Sequence, residues 1–246
     1  MDLVTDIYFE KQQQDNLCAQ HALNVLLQGS YFTAVDLAEI GRALDKEEQL
    51  VGGNRLGQES QNYDDSGYFS IQVLQKALEI WNLELIPWQS TEMQQARQHP
   101  EKQQAFICHR QNHWFTLRKF SETYRWYNLD SMQQQPTHLS EVYLDTLLAQ
   151  IQAEGYSIFA VKGPLALSKA DRKAKTLPKP SSQQGQATQF VSFSGKGHSL
   201  VSDQHHQEED EDEETMLSRA IEASLEDKAK NDVDEIRKRR LARFGL

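Results

Sequence analysis

The stretch Ala105–Ser131, AFICHRQNHWFTLRKFSETYRWYNLDS, decides the fold. It contains three short runs rich in β-branched and aromatic residues, Ala105–His109, His113–Phe120 and Tyr124–Leu129, each set off by a polar triplet. Connections that short join antiparallel neighbours, because a parallel pair needs a long crossover. Two more runs of the same character lie outside this stretch, Leu83–Ile86 before it and Tyr156–Lys162 after it.

Toward the N-terminus the hydrophobic period changes from two to between three and four. Leu17, Ala19, Ala22, Leu23, Leu26 and Leu27 predict one helix, stopped by Gly29, and Val35, Leu37, Ala38, Ile40 and Leu44 predict a second. Ser70 can cap a third, whose stripe is Ile71, Leu74, Leu78 and Trp81. Between the last two strand runs, Leu139–Gln152 reads as a further helix. Helices followed mostly by consecutive strands indicate an α+β domain, its helices packed on an antiparallel sheet. The polar, Gly- and Asn-rich segment Leu50–Gly67 is long for a connection and predicts a flexible arm.

The chain has 246 residues, a formal charge of -10 and a mean hydropathy of -0.70, too polar for a core throughout. Composition places the boundary near Pro164. Lys, Ser, Gln, Gly and Pro dominate after it, then an acidic block and a basic one. The expected organisation is a catalytic domain over 1–165, a disordered linker over 166–207, a helical motif over 208–229 and a basic segment over 230–246. The acidic domain has no basic stripe, which argues against nucleic acid as the main partner. Asp2 and Asp6 stand where a signal peptide would carry positive charge, and no apolar run approaches membrane-spanning length. A soluble intracellular protein with reduced thiols is expected, its two cysteines, Cys18 and Cys108, forming neither a disulfide framework nor a CxxC metal site. No metal or cofactor is expected.

Cys18 falls in the first turn of the first helix, where unpaired N–H groups and the helix dipole favour a thiolate. A cysteine nucleophile needs a histidine base, and the base needs an orienting acceptor. His113 begins one strand run and Asp130 ends the next, so an antiparallel pairing brings the two side by side. Gln13, five residues before Cys18, could add a side-chain amide to the Cys18 backbone N–H as an oxyanion donor, with Gln12 an alternative. Cys108, in mid-strand, reads as an inert buried thiol, and His21 as a packing residue one turn beyond Cys18.

Taken together, QxxxxCAQHxLNxLLQGxYF, DDSGxFSIQVLxxAL, FICxxxxHWFTxRK and WYNLDS resemble the Josephin domain, the papain-like cysteine protease domain of the ataxin-3 family of deubiquitinases. The resemblance covers about residues 1–165. It implies hydrolysis of isopeptide bonds in ubiquitin conjugates, with Cys18 as nucleophile, His113 as general base and then acid, and Gln13 as oxyanion donor. Asp130 departs from the Asn of the longer members, and it rather than Asn128, two residues earlier, matches the orienting position, the one directly before Ser131. The resemblance also implies ubiquitin-contacting surfaces at Ile71, Gln72 and Trp81 and at Tyr31 and Phe32, although Ile71 and Trp81 also lie on the core stripe.

In the tail, EEDEDEETMLSRAIEASLED is similar to a ubiquitin-interacting motif, with Leu217, Ala220 and Ser224 facing ubiquitin or polyubiquitin chains. The tetrad Arg237, Lys238, Arg239 and Arg240 resembles a family segment that binds the valosin-containing AAA ATPase, and also suits nuclear import. Nuclear and cytoplasmic residence linked to ubiquitin-dependent quality control is expected. The competing reading is a noncatalytic ubiquitin-binding adaptor that delivers conjugates to the ATPase.

Overall fold

The computed structural model describes residues 3–12, 17–52, 60–64 and 66–179. Gln13 lies outside these residues. So do Leu217, Ala220 and Ser224 of the expected tail helix and the basic tetrad Arg237–Arg240.

A single antiparallel sheet organises the domain. Its strands are β1 (Glu84–Pro87), β2 (Ala105–Arg110), β3 (His113–Lys119), β4 (Trp126–Asn128), β5 (Thr137–Leu139) and β6 (Ser157–Lys162), in the order β1-β6-β2-β3-β4-β5. Strands β2 and β3 pair from Ala105↔Arg118 to Arg110↔His113. That register leaves Gln111 and Asn112 as a two-residue turn, with Gln111 at φ 54, in the positive region such hairpin turns use. The turn delivers His113 to the end of the sheet with its backbone fixed.

Period-two alternation divides β3 between two cores. Trp114 joins the cluster formed with α1 (Cys18–Leu27), α2 (Ala34–Gly52) and α3 (Ile71–Glu79), while Phe115 and Leu117 join Trp88, Met93 and residues of α4 (Glu141–Ala153) on the other face. Two polar side chains reach from β3 to α1: Thr116 Oγ1 donates to the Ala22 carbonyl at 2.9 Å, and Arg118 Nη1 donates to the Leu26 carbonyl. Every residue of α1 except Gln20 is buried, and Leu17 provides no side-chain cap. Packing therefore holds this helix, at about 1.5–3 kcal/mol per fully buried large aliphatic side chain. Gln28, at φ 61, adopts the left-handed conformation that ends it, one residue before the Gly29 expected to do so. Gly29 has a different role: a Cβ there would stand 2.7 Å from the Tyr31 ring.

Ser70 caps α3 as expected, accepting from the Val73 N–H, but the buried residues are Val73, Leu74, Ala77 and Leu78. The inward stripe is therefore offset from the one read in the sequence. Ile71 and Trp81 sit half-buried at its margin, and Gln72 is exposed. The expected arm is also partly tied down. α2 continues to Gly52, Asn62 Nδ2 donates to Asp45 Oδ1 at 2.8 Å, and Tyr63 bridges to Phe69.

The expected boundary at 165 falls short. Lys169–Thr176 forms α5 inside the stretch expected to be linker, opened by a reciprocal capping box between Ser168 and Asp171. Ala170 and Ala174, four residues apart, bury against Leu3, Ile7, Val25, Phe120, Tyr127 and Leu129. Asp171 pairs with Arg118 at 2.8 Å, the two side chains only 6% and 2% exposed. Arg125 Nη2 then donates to the Leu177 and Pro178 carbonyls. Charge made this segment look like linker, whereas two alanines and one buried ion pair dock it.

Candidate active site

Cys18 is the first residue of α1 and is buried, and its Sγ lies 3.3 Å from the Asn112 carbonyl at the tip of the β2–β3 hairpin. The next residue, His113, places Nε2 2.9 Å from Asp130 Oδ1. The Cys18 thiol is close enough to act on the imidazole as well. The hydrogen bond from Asp130, followed by the one with Cys18, outweighs burial and raises His113 to about 9. At neutral pH the ring is therefore an imidazolium beside the thiol.

Asp130 is itself held. Its backbone N–H donates to Asn128 Oδ1 at 3.1 Å, and its Oδ1 accepts a second hydrogen bond from the Met132 N–H at 3.0 Å. Asn128 thus supports the residue that contacts His113, through the turn that carries it. Gln12 is pinned beside the same turn: its N–H donates to the Ser131 carbonyl at 2.9 Å, and its Oε1 accepts from Ser131 Oγ at 3.2 Å. Cys108 is fully buried, and burial, then the Asp130 charge, push its thiol well above the ordinary range. That environment suits an inert thiol. Among the described residues, no group of His, Cys, Asp and Glu has the arrangement of a metal site.

One element of the site escaped sequence reasoning. His21 does more than pack: its Nδ1 lies 2.6 Å from Glu10 Oε2. The partners are eleven residues apart across an irregular segment, so no periodicity signals the pair.

The Josephin family model matches residues 13–162. The chain belongs to the Josephin family. It is 48% identical over 174 residues to ataxin-3 of Rattus norvegicus, a match covering 67% of this chain and 48% of the relative. It is 47% identical over 174 residues to ataxin-3 of Homo sapiens, with the same coverage. The chain thus spans about half the length of these curated relatives. The ataxin-3 homolog of Caenorhabditis briggsae is 37% identical over 234 residues, 92% of this chain and 72% of that protein. The matched Josephin region contains Cys18, His113 and Asp130 and ends with β6, so α5 lies beyond it.

Among its described residues the Josephin domain has a cavity of about 280 Å³ between α3 and the sheet, lined by residues that include Tyr68, Ile71, Gln72, His109, Trp114 and Phe159. Neither Cys18 nor His113 lines it, but Trp114, which does, follows His113 directly. Of the second expected surface, Tyr31 is half-buried, whereas Phe32 has no exposed area and Trp81 packs on it at 5.1 Å between ring centroids. A side chain without exposed surface offers none to a partner, so Phe32 belongs to the core and, of the two, Tyr31 is the one that reaches the surface.

Proposed function

We propose that this chain is a thiol-dependent deubiquitinase that hydrolyses isopeptide bonds in ubiquitin conjugates and chains through Cys18, His113 and Asp130. The observation that carries the reading is the placement of the three groups together: His113 Nε2 lies 2.9 Å from Asp130 Oδ1, and Cys18 Sγ lies 3.3 Å from the carbonyl of Asn112, the residue directly before His113. The reactive form is a Cys18 thiolate beside the His113 imidazolium. The thiolate attacks the carbonyl carbon of the conjugated ubiquitin C-terminus, and the imidazolium gives its proton to the departing lysine amine. His113 then takes a proton from water as the water attacks the thioester, which expels the thiolate, restores the thiolate–imidazolium pair and releases the ubiquitin C-terminal carboxylic acid, which ionises in solvent. Asp130 holds the ring and stabilises its charged form more firmly than a neutral amide would. Gln13 and the Cys18 N–H are the proposed oxyanion donors.

The proposed ubiquitin-contacting face includes Ile71 and Gln72, which line the cavity next to Trp114. Ubiquitin and polyubiquitin are the proposed partners of that face and of the tail motif at Leu217, Ala220 and Ser224. The Arg237–Arg240 tetrad is proposed to bind the valosin-containing AAA ATPase, placing the protein in ubiquitin-dependent quality control in nucleus and cytoplasm.

The test is reaction of the full chain with a ubiquitin bearing a C-terminal electrophile, followed by peptide mapping. Adduct on Cys18 is expected. Absence of adduct, or adduct on Cys108, overturns the reading and leaves the noncatalytic adaptor.

A further inference from the structure

The segment 8–12 makes two sets of contacts that the catalytic groups do not use. On one side it is fastened to α1. The Glu10 carboxylate meets His21 Nδ1 at 2.6 Å and accepts from Asn24 Nδ2 at 3.1 Å and from the Tyr8 hydroxyl. Tyr8 adds a backbone tie, its N–H donating to Gln28 Oε1 at 2.9 Å. Burial and then Glu10 raise the Tyr8 hydroxyl above its ordinary range, which keeps it a donor. On the other side the segment is fastened to the turn after Asp130. Gln12 pairs with Ser131 through backbone and side chain, and Lys11 Nζ donates to Gln134 Oε1 at 2.6 Å.

Cys18 leads α1, and Asp130 immediately precedes Ser131. The 8–12 segment is therefore a strap between the element that carries the nucleophile and the turn that carries the carboxylate. Glu10 is its anchor on the helix side, because one carboxylate, with the side chains of His21 and Glu10 only 10% and 17% exposed, gathers three donors from two elements. A carboxylate with several charge-assisted hydrogen bonds is a stiff joint. We propose that Glu10 is a positioning residue for the hydrolysis proposed above, on which this inference rests: through His21 and Asn24 it fixes α1 to the 8–12 strap and so holds Cys18 in line with His113 and Asp130.

The experiment compares Glu10→Ala, Glu10→Gln and Glu10→Asp with wild type in the full chain, using two readouts. The first is steady-state hydrolysis of a ubiquitin C-terminal aminomethylcoumarin amide. The second is the pH dependence of Cys18 alkylation by iodoacetamide, which needs no ubiquitin. Loss of alignment should lower kcat of Glu10→Ala by roughly 10- to 100-fold with KM within about twofold of wild type. It should also move the alkylation profile to higher pH, because a displaced thiol loses its imidazolium partner. A defect confined to folding would move the thermal melt but leave the profile in place. Glu10→Gln keeps the reach of the side chain and should recover most of kcat. If Glu10→Ala shows no cooperative melt, Glu10→Asp decides, since its shortened carboxylate should give the same changes at smaller size. Wild-type kcat together with an unmoved alkylation profile in the folded variant overturns the inference, as does a change in KM alone. Wild-type protein that hydrolyses nothing overturns the proposed function instead, and the alkylation profile still decides the role of Glu10.

Discussion

Asp130 Oδ1 accepts two hydrogen bonds at once, from His113 Nε2 at 2.9 Å and from the Met132 backbone N–H at 3.0 Å. The backbone donor fixes the oxygen in place, so the imidazole orients on a stationary acceptor.

This arrangement sets a pH dependence. His113 is raised from 6.5 to about 9, so the stability gained from its charged form is fully present below 6.5 and is lost as pH rises through about 9. The proton delivered to the leaving amine is lost over the same range. A plot of kcat/KM against pH should fall on its alkaline side near 9. Asp130→Asn should remain active while moving that fall to lower pH, because a neutral acceptor stabilises the imidazolium less. An alkaline limb that stays in place in the variant would separate the profile from His113.

Cys18→Ala should abolish hydrolysis and leave the melting temperature near wild type. His113→Ala should lose about 10²–10⁴-fold in kcat, the usual worth of a positioned acid–base group. Cys108→Ala should remain active, since its buried thiol points into the sheet core and touches none of the reacting atoms. Turnover by Cys18→Ala, measured on a ubiquitin amide, would reassign the nucleophile.

Asn128→Ala should be milder than Asp130→Ala, because Asn128 acts on the turn and Asp130 acts on the ring. Both can be read from kcat at one pH. The reverse order would transfer the orienting role to Asn128.

Removal of the Asp171 carboxylate leaves the Arg118 guanidinium buried and uncompensated. Asp171→Ala should cost roughly 3–5 kcal/mol in urea unfolding. A chain ending after Pro164 should be less stable than one ending after Lys179, because it also uncovers the cluster around Val25, Phe120 and Tyr127. Equal urea midpoints for the two truncations would return α5 to the linker.

Leu217→Ala with Ala220→Gly and Ser224→Ala should weaken capture of ubiquitin chains and leave hydrolysis of a minimal ubiquitin amide unchanged. Unchanged affinity in a pull-down would remove the tail motif as a ubiquitin ligand.

The strands around Cys108 and His113 were legible in sequence because a half-buried sheet writes its alternation directly into residue type, and the pairing of His113 with Asp130 followed from the shortness of the connection. β5 was not legible: three residues with two exposed carry too little pattern. α5 was hidden by composition, since its docking depends on Ala170, Ala174 and one ion pair to a residue 53 positions away. The brace at Glu10 has the same cause, a contact between an irregular segment and a helix that no local period encodes.

Trp81 packs against Tyr31 at 5.6 Å and against Phe32 at 5.1 Å between ring centroids, so the turn at Tyr31 and the segment just after α3 share one indole as their common wall. Genetics at this wall will not separate cleanly. Any Trp81 substitution frees the Tyr31 turn to repack as well as altering the segment after α3, and residues in direct contact are where single-variant effects stop adding. An allele meant to probe the turn alone belongs at Tyr31, with Trp81 kept for the double-mutant cycle that measures how strongly the two rings are coupled.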